Sequence, residues 1–195
     1  MLPRNYVPPV VSILPRLARV EPRMEELCKK ENKRVANVFE DLVGIAFEML
    51  GYEVLKLGQG RGRRPDGIAF SRQDRYAIIY DAKSTKHEYE LKWHSRQFVD
   101  YIQREKPMLM RQGMGLVFFA VVSGDFVEHQ EREIKRIKRD SGVNALILLP
   151  ADSLLLLIRK RLQDPYFSLG REGLLELLMD SGVLSRELIE DFFSK

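Results

Sequence analysis

The sequence predicts an α/β fold, in which a mixed β-sheet of about five strands is flanked by helices. Three observations favour it. Several segments have apolar residues at three- and four-residue steps, which is typical of amphipathic helices. Short apolar runs bounded by turn residues lie between them, which is typical of strands. The 195 residues, 45% of them hydrophobic, are enough for one domain with a substantial core.

The first 21 residues contain four prolines among apolar residues without a clear period. They predict an extended arm with one short helical turn near Leu14–Val20. From Pro22 the pattern is helical, and Gly51 ends that helix. We therefore divide the chain into an N-terminal arm with the start of the first helix, residues 1–30, and a main domain, residues 31–195.

Three strands are predicted after this helix, at Tyr52–Leu57, Asp66–Phe70 and Arg75–Asp81. A basic, glycine-rich loop at residues 58–64 joins the first two strands, and a turn at Ser71–Asp74 joins the second and third. Consecutive strands with short connections form an antiparallel meander. The start of the second strand should therefore lie beside the end of the third.

The rest of the chain alternates between helices and buried strands. The predicted elements are a helix at Lys92–Glu105 that ends before Pro107, a strand at Gly115–Val122, a charged helix at Phe126–Arg139, a strand at Ala145–Leu149, a helix capped by Asp152, and two short helices in Tyr166–Lys195. With the meander, this order predicts a mixed sheet covered on both faces.

Charge and cysteine content exclude several classes of protein. Lys and Arg number 32 against 28 Asp and Glu, so the net charge of +4 permits an anionic polymer and a divalent cation to bind the same chain. The single cysteine, Cys28, excludes an internal disulfide and a multi-cysteine zinc site, and it favours a reducing, cytoplasmic location. The three histidines do not form a zinc-hydrolase pattern. The longest apolar runs are too short to cross a membrane.

Asp66, Asp81 and Lys83 are the candidate catalytic residues. Asp66 opens one strand of the meander, Asp81 ends the next, and Lys83 follows two residues later on the same face of the strand. Two carboxylates and an ammonium should therefore converge at one edge of the sheet. On its own, Asp-x-Lys is a weak signal that is more typical of a solvent-exposed strand end than of a catalytic site.

Phosphodiester hydrolysis requires this set of groups. A divalent metal held by two carboxylates neutralises the phosphate and lowers the pKa of the attacking water. Mg²⁺ prefers oxygen ligands and keeps several waters, so Asp66 and Asp81, with the carbonyl of Ala82 as a further ligand, could hold it; Mn²⁺ could substitute. Lys83 can orient the water or stabilise the charge that develops. Glu40, on the first long helix, is a plausible fourth member.

The pattern Pro65-Asp66 with Asp81-Ala82-Lys83 resembles the PD-(D/E)xK nuclease superfamily. The segments around it are similar to the cleavage domain of type IIS restriction endonucleases of the FokI kind. They are residues 63–69, 80–83, 118–126 and 142–145, in colinear order over roughly residues 30–195. The resemblance implies a restriction-endonuclease-like fold, double-stranded DNA as substrate, and Mg²⁺-dependent endonuclease activity.

The resemblance also implies a homodimer, at least on DNA. The helix at 92–105 corresponds to the family's dimerisation helix, where an aspartate and an arginine four residues apart pair with a second copy. Arg96 and Asp100 are the nearest equivalents here, in reverse order. A two-fold interface is self-complementary, so reversal would preserve the pair. An ordinary pair within one helix is the alternative.

Several basic residues near the site are candidates for DNA contact, namely Arg61, Arg63, Arg64 and Lys86. Since the resemblance uses nearly the whole chain, we expect sequence recognition to come from a partner subunit, from a longer protein, or from DNA shape. Two other functions stay open: a structure-selective nuclease such as a Holliday junction resolvase, and a non-catalytic DNA-binding subunit that keeps the fold.

Overall fold

The computed structural model of the protein describes residues 6–58 and 64–194, and it contains a six-stranded mixed sheet with helices on both faces. The strands are β1 Glu53–Lys56, β2 Gly67–Ser71, β3 Tyr76–Lys83, β4 Leu116–Ser123, β5 Ala145–Pro150 and β6 Gly182–Val183. The helices are α1 Pro9–Ser12, α2 Leu14–Ala18, α3 Pro22–Lys30, α4 Val35–Leu50, α5 Ser95–Arg111, α6 Glu131–Ser141, α7 Ala151–Gln163, α8 Leu174–Leu178 and α9 Arg186–Phe192, with a 3₁₀ turn at Leu91–Trp93. The predicted fold class is confirmed.

The strands lie side by side in chain order, β1 to β6. β1, β2 and β3 form the predicted antiparallel meander, and β4, β5 and β6 extend it with parallel pairs. The two-residue β6 accounts for the difference from the five strands expected. No helix in the described part of the chain is long and apolar enough to span a membrane.

Two hydrophobic cores cover the two faces of the sheet. Successive residues of β3 point to opposite faces, so Ile78 and Tyr80 belong to one core while Ala77 and Ile79 belong to the other. The first core contains residues of α1, α2, α4 and α7, and the second contains residues of α5 and α6. The end of the sheet is therefore reached from both sides, by α4 on one face and α5 on the other.

The prediction of an extended N-terminal arm is wrong. Residues 9–18 form α1 and α2, whose side chains Val11, Leu14, Leu17 and Ala18 are 0–1% exposed in the first core. Pro9 and Pro15 stand in the first turns of these helices, where a missing backbone N–H costs no hydrogen bond. The two-part division of the chain stays a prediction, although arm and domain residues share this core.

The single helix predicted from Pro22 to Gly51 is divided into α3 and α4. Asn32 adopts a left-handed backbone conformation, with φ of 54°, and the Lys33 N–H donates to the Cys28 carbonyl. That bond closes the last turn of α3 as a helix C-cap. The interruption lets α4 start afresh at Val35 and pack along the sheet.

Three other predictions about the helices are wrong, and tertiary contacts explain each of them. α5 continues through Pro107 to Arg111, because its last turn buries Leu109 in the second core. α6 begins only at Glu131, since Phe126 forms a β-bridge with Tyr89. Asp152 does not cap α7; it accepts a hydrogen bond from Arg19 of the N-terminal segment, 2.6 Å away.

Candidate active site

Main-chain hydrogen bonds fix Asp66 at the start of β2. Its N–H donates to the Tyr80 carbonyl (3.1 Å), and its carbonyl accepts from the N–H groups of Leu57 (2.8 Å) and Gly58 (3.2 Å). A Cβ on Gly58 would lie 2.9 Å from Asp66 Oδ1, so glycine is the residue that permits this approach. The register that pairs Gly67 with Tyr80 then places Asp66 beside Asp81.

The carboxylate of Asp66 is oriented by β3 itself. The N–H of Ala82 donates to Asp66 Oδ2 at 2.7 Å, so Asp66 reaches the peptide between Asp81 and Lys83. The meander therefore brings together the three residues that the sequence singled out. Their chemical roles stay predictions.

Asp81 and Lys83 lie two residues apart on one face of β3 and form an ion pair. Lys83 Nζ is 2.5 Å from Asp81 Oδ2. The Asp81 side chain is 1% exposed and that of Lys83 is 23% exposed. Asp81 Oδ2 is buried, and the Lys83 ammonium is the group that neutralises it.

Burial shifts the ionisation of both carboxylates, and the charge of Asp81 adds to the shift of Asp66. Burial, then the charge of Asp81, raises the pKa of Asp66 to about 8, although the Ala82 N–H opposes the shift. Burial also raises the pKa of Asp81, opposed by Lys83. Burial lowers the pKa of Lys83, but Asp81 and Asp66 outweigh it, so that pKa is raised and Lys83 is charged.

Glu40 approaches the site from the opposite face of the sheet, on α4. Its pKa is raised first by burial; Lys83 lowers it and Asp81 raises it. Glu40 also raises the pKa of Asp66. These interactions place Glu40 in the electrostatic field of the site, beside the end of β3.

The donor set fits a hard cation that retains water. Two carboxylates that repel one another, one of them buried and paired with Lys83, are suited to a divalent cation with oxygen preference. The described residues contain no group of three or more His, Cys, Asp or Glu side chains arranged to hold a metal.

The candidate DNA-contacting residues differ in their surroundings. Arg61 and Arg63 lie outside the described residues. Arg64 is exposed directly before Pro65 and Asp66. Lys86 is exposed and forms a surface ion pair with Glu25 of α3, with Nζ and Oε2 2.9 Å apart.

Arg96 and Asp100 lie one turn apart on α5, and both are exposed. In the part of the chain that the structure describes, they form no ion pair with each other. The alternative of an ordinary pair within the helix is therefore not realised here, and both charges remain available on the surface.

The sequence prediction missed a polar wall on the α5 side of the site. Tyr89 Oη is 2.7 Å from His94 Nδ1, and Gln97 Nε2 donates to Tyr101 Oη. Asp81 raises the pKa of both tyrosines, after the larger effect of burial. The signal available in the sequence was the Gln97–Tyr101 spacing of four residues, which places the two side chains on one face of a helix.

The family model of the FokI cleavage domain matches residues 16–179, which is most of the chain. The chain belongs to the FokI cleavage-domain family. The fold of this family agrees with two solved structures. The restriction endonuclease FokI aligns with a TM-score of 0.68 and 19% identity over 91% of this chain. FokI bound to DNA aligns with a TM-score of 0.66 and 19% identity, again over 91%.

This FokI cleavage-domain chain spans about a third of the FokI chain, 32% and 31% in the two structures. At 19% identity these likenesses establish the fold and not the activity of the whole enzyme. No protein with a curated functional description matches the sequence.

Proposed function

We propose that this chain is a Mg²⁺-dependent endonuclease that hydrolyses phosphodiester bonds of double-stranded DNA. The observation that carries the proposal is the convergence of Asp66, Asp81 and Lys83 where β2 begins and β3 ends. Membership of the FokI cleavage-domain family supports the same reaction class.

Asp66 and Asp81 would hold the cation, with the Ala82 carbonyl as a further ligand. Mg²⁺, or Mn²⁺ in its place, supplies an activated water and neutralises the scissile phosphate. The Ala82 N–H holds the Asp66 carboxylate beside the end of β3. The raised pKa of Asp66 means that cation binding at neutral pH displaces a proton.

Lys83 and Glu40 would act on the reacting groups. The ammonium of Lys83 is charged and partly exposed, so it can orient the attacking water and stabilise charge on the phosphate. Glu40, on the opposite side of the sheet end, would assist as a ligand through water. Burial and Asp81 keep its pKa above the usual range, which makes it a better proton acceptor.

DNA would approach across the loop that leads into Asp66. Arg64 is exposed there, and Arg61 and Arg63 precede it in the sequence. The Lys86 ammonium has three donors, so it could bind a phosphate while it contacts Glu25. Phosphate contacts of this kind position a duplex without reading its sequence. We therefore propose that a partner subunit or a further domain supplies recognition of the DNA sequence. We also propose that the protein acts in the cytoplasm.

Cutting both strands would require two copies. Each chain would hold one centre and cut one strand, so a homodimer on DNA is proposed. Arg96 of one copy would pair with Asp100 of the other, and the reverse, across a two-fold axis. Both side chains are exposed and make no ion pair with each other within one chain, which supports this arrangement.

Cleavage of supercoiled plasmid with Mg²⁺ tests the proposal. The wild-type chain should cut, EDTA should abolish cutting, and Asp81→Ala should reduce the rate by about 10³-fold or more because a cation ligand is lost. Asp180→Ala is the matched control, since Asp180 is an exposed carboxylate beside β6, at the far edge of the sheet. Cutting by Asp81→Ala at the wild-type rate would exclude the proposed centre.

A further inference from the structure

A groove lies at the outer edge of the sheet, where β6 is the last strand in the order. It has a volume of about 550 Å³ and is bounded by the end of α8, by β6 and by α9. Most of its residues follow position 179, where the match to the family model ends. The groove is three strands from β3, or roughly 14 Å, so an occupant here would leave Asp66 and Asp81 uncovered.

The lining of the groove is largely apolar. Ile147, Leu177 and Leu184 line it as buried side chains, with 1–7% of their area exposed. Val183 and Leu188 stand at its surface and are 45% and 46% exposed. Apolar side chains exposed together in a concave surface with a polar rim are typical of a site that another chain covers.

Four exposed carboxylates surround this apolar surface, on α8, before β6 and on α9: Glu176, Asp180, Glu187 and Asp191. Among the described residues none of the four forms an ion pair, and the nearby Arg186 pairs instead with Glu190 at 3.5 Å. No group of these carboxylates, within the part of the chain that the structure describes, is arranged to hold a metal ion. The rim therefore favours a basic partner and repels DNA phosphates.

The strand β6 also presents a main-chain donor to the open side. The Leu184 N–H donates to the Leu148 carbonyl of β5 at 2.8 Å. Because successive residues of a strand direct their main-chain groups to opposite edges, the N–H of Val183 points away from β5. A Cβ built on Gly182 would meet no described atom within 4 Å, so there is space beside β6. An edge N–H of this kind can pair with a further strand.

We propose that this groove docks an extended segment of a partner protein in which apolar and basic residues alternate. The segment would add a strand to β6 through the Val183 N–H, place apolar side chains against Val183 and Leu188, and set lysine or arginine side chains beside the carboxylates. The volume is within the roughly 300–1,000 Å³ typical of binding pockets. A second copy of this chain fits poorly, because a two-fold contact would bring two acidic rims together.

Fluorescence anisotropy with a labelled peptide of alternating lysine and valine tests the docking. The full chain should bind this peptide with a Kd in the micromolar range. A peptide of alternating lysine and serine should bind at least about tenfold more weakly, because it has no apolar side chains to bury. A peptide of alternating glutamate and valine should not bind, because the acidic rim repels it.

Charge reversal on α9 provides the matched variants. Glu187→Lys combined with Asp191→Lys should weaken binding of the lysine–valine peptide by at least about tenfold, since both carboxylates line the groove. Glu26→Lys, at an exposed carboxylate on α3, is the control and should change the affinity by less than about twofold. Leu188→Ser should weaken binding by about fivefold, because an apolar contact is lost.

Amide hydrogen exchange followed by NMR tests the addition of a strand. With saturating lysine–valine peptide, the Val183 amide should exchange at least about tenfold more slowly, because its N–H becomes hydrogen-bonded. Peptide binding with unchanged exchange at Val183 would show that no strand is added to β6, which overturns the proposal.

Three binding results also overturn it: no binding of the lysine–valine peptide to the wild-type chain, equal binding of the lysine–serine peptide, or wild-type affinity in the α9 double variant. Self-association of the DNA-free chain that Leu188→Ser abolishes would assign the groove to a second copy and overturn it as well. None of these outcomes changes the nuclease proposal, which concerns Asp66, Asp81 and Lys83.

Discussion

Among single residues, burial has its largest chemical consequence at the carboxyl group of Asp66. Its pKa is about 8 in the folded chain, against 3.8 for an unperturbed aspartate. Between these values the folded state binds more protons than the unfolded state, so the cation-free protein loses stability as pH rises from about 4 to about 8. A bound cation would reverse this by taking the proton's place.

Asp66→Asn should therefore stabilise the cation-free protein at alkaline pH. The melting temperature in EDTA should rise by several degrees at about pH 8 and by little at about pH 5, where the native carboxyl is already protonated. Thermal unfolding at the two pH values measures the effect. Asp180→Asn, at an exposed position, should give no such difference, and an equal gain at both pH values would contradict the assignment for Asp66.

The identity of Asp66, Asp81 and Lys83 as a group could be predicted because their spacing follows strand geometry. The same spacing makes the ion pair of Lys83 with Asp81 possible, since both side chains lie on one face of β3. The wall formed by Gln97 and Tyr101 could not be predicted, because it depends on which residues of α5 pack on β3, and this contact joins parts of the chain far apart in sequence. Arg61 and Arg63 lie outside the described residues, so their role stays a prediction.

Helices and strands that depend on local sequence patterns were predicted well. The alternating strands of the meander, the buried β4 and β5, and the glycine at the end of α4 all lie close to their expected positions. Tertiary contacts decided the others. Pro107 stays within α5 because the following turn is buried, and β6 exists only because two residues pair with β5. Neither the burial of that turn nor the pairing of β6 can be inferred from local helix or strand propensity.

The exposed face of α5, which carries Arg96 and Asp100, allows a test of the proposed dimer interface. Arg96→Asp would place two acidic residues on each side of the proposed interface and should lower double-strand cleavage by at least about tenfold at limiting protein. Adding Asp100→Arg in the same chain restores opposite charges across the axis and should recover most of the activity. The rate of linear-product formation, measured against protein concentration, reports this. If the double variant is no better than the single variant, Arg96 and Asp100 do not pair across the interface.

The whole molecule differs from the sequence expectation chiefly at its N-terminus. Prolines in a short apolar stretch indicated an arm, yet Val11, Leu14 and Leu17 complete the core beneath α4 and α7. Arg19 also bridges this segment to Asp125 (2.7 Å) and Asp152 (2.6 Å). Burial against distant helices is a property of the folded chain, so periodicity over a few residues could not reveal it.

Leu14→Ala should consequently destabilise the protein by about 2–5 kcal/mol, because a fully buried leucine leaves a cavity. Urea unfolding measures the change. Val10→Ala, at a side chain that is 49% exposed, should cost less than about 1 kcal/mol. Equal effects of the two substitutions would show that the N-terminal helices do not belong to the core.

The central claim is that Asp66, Asp81 and Lys83 form one hydrolytic centre. Single-turnover cleavage of duplex DNA in Mg²⁺ by Asp66→Asn, Asp81→Asn and Lys83→Met, with duplex binding followed in Ca²⁺, tests it most directly. We expect each rate to fall by about 10³-fold or more while duplex affinity changes by less than about threefold. A wild-type cleavage rate in any one of these variants would contradict the claim.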